Sequence, residues 1–173
     1  MTRIGQAVML LHAGDREEAR NRFGIIWAEI GESGDALRRC TLAHYMAGTQ
    51  DDPGDGLAWG LRALTAAEGL TGRAATDRDT DHGGAKHESA EHGDTDHGGA
   101  GHQDLTAVRA LVPSLHLDLA RSYLKLQRFE AARIHLDRAW DAVAVLDDDG
   151  YGGGVRAAIG RMEQRMRGCG DGA

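Results

Sequence analysis

The sequence predicts an all-α chain: stacked antiparallel helix hairpins, a long disordered histidine-rich insertion, and a capping helix near the C-terminal end. Three observations carry this. Apolar residues recur at helical spacing from residue 2 to 70 and again from Leu105. The stretch Gly14 to Ile30 matches the stretch Gln127 to Val143. Residues 74 to 104 hold no Leu, Ile, Val, Met or aromatic side chain. Composition agrees, since 41% apolar residues suffice for a core while 25 glycines and only 5% aromatics suit a chain that is partly unfolded.

The first hairpin rests on two stripes, Ile4, Val8 and Leu11, then Phe23, Ile26, Trp27 and Ile30, separated by Gly14 and Asp15. After the break at Gly31 to Gly34, Leu37, Leu42, Tyr45 and Met46 mark a third helix. A fourth opens with Asp52 as N-cap and Pro53 at the first helical position, where its missing N–H costs nothing, and carries Leu57, Leu61 and Leu64. Gly56 and Gly60 weaken that helix by roughly 1 kcal/mol each relative to alanine. From Leu105 the stripe Leu111, Leu115, Leu119, Tyr123 and Leu126 is interrupted by Pro113, which is expected to kink the helix or restart it. Phe129, Ala132, Leu136, Ala139, Trp140 and Val143 supply its partner. Beyond Asp147 to Asp149 and a flexible run, Gly150 to Gly154, comes a last amphipathic helix with Val155, Ile159, Met162 and Met166 on one face. The expected organisation is therefore two hairpins in 1–73, a loop in 74–104, a third hairpin with its cap in 105–167 folded onto the first part, and a flexible tail in 168–173.

Charge is concentrated in the loop. Residues 74 to 104 hold eight acids against Arg78 and Lys86, giving −6 of the chain's net −7. A nearly neutral body has no broad basic footprint, so nucleic-acid binding is not expected. The longest apolar stretch, around Ile25 to Ile30, is far short of the roughly 20 residues a membrane-spanning helix needs. No basic segment and apolar run follow Met1, so the expected compartment is the cytoplasm and the cysteines, Cys40 and Cys169, are expected as reduced thiols.

The internal match pairs Glu17 with Glu130, Ala19 with Ala132, Arg20 with Arg133, Phe23 with Leu136, Trp27 with Trp140 and Ile30 with Val143. Small alanines and large apolar residues thus occupy equivalent turns, as close packing of paired helices requires. On these positions, together with Leu119, Ala120, Tyr123 and Ala139 in the third hairpin and Ala7, Leu10, Gly14, Ala19 and Phe23 in the first, the chain resembles the tetratricopeptide repeat family. The second hairpin fits through Leu42, Ala43, Met46 and Ala58. Leu42 to Tyr45, Gln50 to Pro53, Leu57 to Trp59 and Asp148 to Gly152 also resemble a group of short actinobacterial repeat proteins. The resemblance implies a right-handed superhelix whose first helices line a groove for a protein or peptide partner. Groove positions would be Ile4, Val8, Leu11 and His12; Leu37, Cys40 and His44; and Ser114, Leu117, Arg121, Leu124 and Lys125. Mainly apolar, with Arg121 and Lys125 at one end, they suit an amphipathic segment with an acidic terminus.

Five histidines stand in the loop at a fixed step of five: His82, His87, His92, His97 and His102. Imidazole is a good ligand for Ni or Zn, and neighbouring carboxylates attract cations, so weak divalent-metal binding or buffering is the alternative function. A step of five gathers the rings on no regular element, so a preformed catalytic site is not expected and any chelation would be flexible and weak. His116-Leu117-Asp118 and His135-Leu136-Asp137 repeat a tripeptide, and both histidines are expected at hairpin packing positions. No HExxH, CxxC, G-x-S-x-G or P-loop pattern occurs, so no enzyme and no obligate cofactor are expected.

Overall fold

A computed structural model describes residues 2–31, 34–81, 97–147 and 149–170, with the side chains of 73–81, 97–102, 169 and 170 left undescribed. Seven α-helices follow one another among the described residues: α1 (Arg3–His12), α2 (Arg16–Ile30), α3 (Ala36–Thr49), α4 (Pro53–Asp81), α5 (His97–Lys125), α6 (Phe129–Val143) and α7 (Gly150–Gly170). Local chemistry sets their starts. Side-chain oxygens of Thr2, Asp15 and Asp35 accept the backbone N–H three residues on. Asp52 Oδ1 accepts from Gly54 at 2.8 Å and Asp55 at 3.0 Å, ahead of Pro53 at the first helical position.

The helices form three consecutive hairpins, α1 with α2, α3 with α4 and α5 with α6, followed by α7. Each helix packs on its successor, and α1 also touches α3, α3 touches α5 and α5 touches α7. Among the described residues, α2 makes no backbone approach to α4, nor α4 to α6. Odd-numbered helices therefore sit side by side while the even-numbered ones spread apart.

Three apolar clusters hold the stack. Ala7, Ala19, Phe23, Ile26, Leu42 and Met46 join the first hairpin to α3. Cys40, Ala43, Ala63, Ala66, Ala67, Val108 and Leu115 join the second hairpin to α5 across the insertion. Leu117, Ala120, Leu136, Ala139, Val143, Val155, Ile159 and Met162 seat α7 on the third hairpin. Gly60 has a packing reason, since a Cβ there would come within 2.9 Å of Leu119 Cδ2. The weak helix former admits the fully buried Leu119 of α5 against α4.

Several boundaries differ from the sequence expectation. The middle of the insertion, 82–96, lies outside the described residues, whereas its two ends continue α4 to Asp81 and begin α5 at His97. Pro113 neither restarts nor ends its helix. α5 runs through it, and because the ring is buried, packing outweighs the roughly 3 kcal/mol a mid-helix proline costs. Gly150 to Gly154 are not a flexible linker but the opening turns of α7, entered from Asp149, whose Oδ1 accepts the Gly152 N–H at 2.7 Å. The same helix continues to Gly170, and 171–173 lie outside the described residues.

The two matched tryptophans share a helix position and differ in cover. Trp27 on α2 meets Trp59 on α4 edge to face, ring centres 4.9 Å apart, bridging the gap between these two even helices. Trp140 on α6 is 39% exposed. No even helix stands beyond α6 among the described residues to supply the equivalent of Trp59.

Candidate functional site

Two cavities adjoin on the side of the odd helices, sharing Arg121. The first, about 400 Å³, is lined by His44 of α3, by Ser114, Leu117, Asp118 and Arg121 of α5, and by Tyr151, Gly154, Val155 and Ala158 of α7. The second, about 720 Å³, is lined by Arg121, Leu124 and Lys125 of α5, by Gln127 and Phe129 at the α5–α6 turn, and by Met162 and Arg165 of α7.

The first cavity is polar along one wall. Asp118 Oδ1 accepts from Arg121 at 2.7 Å, and its Oδ2 lies 3.3 Å from His44 Nδ1. That nitrogen is buried and makes no hydrogen bond. Burial pushes the His44 imidazole below its ordinary pKa, with Arg121 pushing the same way and the Asp118 carboxylate opposing both. Also on α5, one turn before Asp118, the Ser114 hydroxyl lies 3.2 Å from the Tyr151 hydroxyl, which donates to the Ala110 carbonyl at 3.1 Å. Ser114 is thus tied to Tyr151 and is not hydrogen-bonded to His44, the arrangement a serine nucleophile and its base would need. Cys40 offers no nucleophile either. It is fully buried, and burial pushes its thiol up to about 12.

Of the residues expected at a partner site, His44, Ser114, Leu117 and Arg121 meet at the first cavity and Arg121, Leu124 and Lys125 at the second. Leu117 is nearly buried and belongs chiefly to the α7 core. Leu11 packs on the first cluster, Leu37 on the second, and the exposed His12 lines neither cavity. Among the metal candidates, His82, His87 and His92 lie outside the described residues, and His97 and His102 fall in the opening turns of α5, their side chains undescribed. Among the described residues no three His, Cys, Asp or Glu side chains are grouped to hold a metal ion, and no helix is long and apolar enough to cross a membrane.

Sequence reasoning left out Asp118, Tyr151, Gln127, Phe129, Met162 and Arg165 as site residues. The internal match carried a signal for the turn among them. In the first hairpin the turn reads Gly14-Asp15-Arg16. Gly14 takes φ 91°, Asp15 caps α2, and Arg16 donates to the Gln50 carbonyl and lies 3.3 Å from Asp51. The third hairpin has Gln127-Arg128-Phe129 instead. Gln127 holds φ 57°, a left-handed conformation costly for a side chain, Arg128 gives α6 no side-chain cap, and Phe129 is 48% exposed. Restoring Gln127→Gly and Arg128→Asp is expected to stabilise the fold by about 1 kcal/mol each, read as a higher urea midpoint.

A second buried polar pair lies apart from both cavities. His116 of α5 and His135 of α6 bring their Nδ1 atoms to 3.1 Å, and Tyr123 stacks on the His135 ring. One imidazole must donate and the other accept.

Comparison with known proteins returned no matching family model, no similar curated protein and no similar solved structure.

Proposed function

We propose that the protein is a non-enzymatic scaffold that holds a protein or peptide partner along the side formed by α1, α3, α5 and α7. One observation carries the reading: the first cavity is lined by side chains of α3, α5 and α7 alone. Three elements far apart in sequence thus converge on one concavity on the more closely packed side of the stack. The tetratricopeptide resemblance assigns partner binding to the first helix of each hairpin, and α3 and α5 hold that position. The wall chemistry suits recognition. Ser114, Asp118, Arg121 and Tyr151 give donors and acceptors beside the apolar Val155 and Ala158.

Photocrosslinking in lysate of the native cell tests this. Benzoylphenylalanine replaces Tyr151 on the proposed side or Trp140 on α6, both exposed aromatic positions. A discrete adduct at position 151 and none at 140 is the expected result. Adducts at 140 alone, or none at 151, would overturn the assignment of the binding side.

A further inference from the structure

We propose that the larger cavity takes an acidic peptide segment carrying one large apolar residue. This rests on the scaffold reading and specifies the chemistry of the partner. The cavity spans about 720 Å³ between the end of α5, the α5–α6 turn and α7. Leu124 and the exposed Phe129 present apolar surface, with the buried Met162 of α7 also lining the space, while Arg121, Lys125 and Arg165 supply three cations, and no acid lines it. Lys125 and Arg165 make no ion pair with any described residue. Arg121 gives Asp118 a hydrogen bond from one terminal nitrogen, and a guanidinium has five donors to share. Cations of this kind around an apolar patch are complementary to carboxylates flanking an aliphatic or aromatic anchor.

The repeat supplies a second line of argument. At equivalent positions the first hairpin uses Gly14, Asp15 and Arg16 to make its turn, cap its helix and tie itself to the Gln50–Asp51 corner. In the third hairpin none of the three residue types is kept. Gln127 occupies a backbone conformation suited to glycine and lines the cavity, Arg128 brings positive charge where a capping acid stands in the first hairpin, and the exposed Phe129 also lines the cavity. Local choices that weaken the fold together, in one turn, beside one concavity, are the mark of a binding surface rather than of packing. The other terminal concavity differs: the space beside α1 and α2 mixes Arg3 and Arg22 with Glu18, and Arg22 is paired with that acid at 2.7 Å.

The test is fluorescence anisotropy on the full chain with a labelled peptide of glutamates around a central phenylalanine. Two control peptides replace the glutamates with lysine, or the phenylalanine with alanine. The acidic peptide is expected to bind, with an affinity that falls as salt rises. Lys125→Glu with Arg165→Glu should weaken it about tenfold or more, because repulsion replaces attraction at two contacts. Phe129→Ala should weaken it several-fold, and the alanine peptide should lose a similar factor. The lysine peptide should not compete with the acidic one, and the alanine peptide should compete only at several-fold higher concentration. These positions are partly exposed, so unchanged circular dichroism of each variant separates lost binding from lost folding. Unchanged affinity in the charge-reversed variant overturns the proposal, as does equal binding of the alanine peptide, or binding to anionic phospholipid vesicles in place of the peptide. Absence of acidic-peptide binding also overturns it. The position 151 adduct decides the scaffold reading separately, so the two ideas fail in different experiments.

Discussion

Leu115→Ala is expected to destabilise the chain by about 3–5 kcal/mol, toward the upper end for a leucine truncated in a core. Leu115 is 1% exposed and is the largest side chain of the cluster joining α3 and α4 to α5. Its buried neighbours are mostly short: Cys40, Ala43, Ala63, Ala66 and Ala67. Alanines have no rotamers with which to fill a vacated space, so the cavity persists and its full cost is felt. The position also tests whether the parts on either side of the insertion unfold together, because this cluster is the seam between them. Urea unfolding followed by tryptophan emission reads both sides, with Trp27 and Trp59 before the insertion and Trp140 after it. A Trp140→Phe background isolates the first pair, and subtraction gives the Trp140 signal. In the parent chain the two signals should move as one transition, and in Leu115→Ala both should shift to lower urea. A shift of the Trp140 signal alone would show that the seam does not couple the two sides.

How much of this was legible in the sequence depends on the physical range of each signal. Helical periodicity is local, and it located the helices well: Ala7, Ala19, Phe23 and Leu42 are all fully buried. Capping is also local, hence the correct reading of Asp52 and Pro53. Termini were less legible. Gly150 to Gly154 read as linker because glycine propensity is poor, yet they open α7 once Asp149 caps it and Val155 and Ile159 anchor it. Pro113 likewise stays helical because its ring is buried, which propensity does not register. The site was the least legible part. His44, Leu117, Arg121, Leu124 and Lys125 were named from the repeat resemblance, which placed them on first helices, and neither it nor helical register reveals that α7 closes over α5 and brings in Tyr151, Met162 and Arg165. The cost accepted at Gln127 was visible only on setting the third turn beside Gly14 of the first.

Acidification from pH 7 to pH 5 is expected to remove about 2 kcal/mol of stability through His116 alone. Burial is the chief cause that lowers its pKa from 6.5 to about 4, with His135 and Arg138 adding repulsion to any positive charge placed there. The unfolded chain takes up a proton near pH 6.5 that the folded chain refuses until about pH 4. Stability is therefore complete above the unfolded value and drains away as pH falls through this window. His135 and His44 are shifted in the same direction, each chiefly by burial, so their contributions add to the loss. The geometry gives the same sign. At 3.1 Å one Nδ1 must accept, so a doubly protonated pair would set two donors against each other between α5 and α6. The carboxylates of Asp51 beside Arg20 and Glu29 beside Arg3 are held below their ordinary range, so their protonation falls below this window. Urea midpoints at pH 7 and pH 5 read the effect. His116→Gln with His135→Gln lowers stability at pH 7 but should shrink the difference between the two pH values to the part that His44 leaves. A pH 5 deficit that persists unchanged in this double variant would remove the histidine pair as its origin.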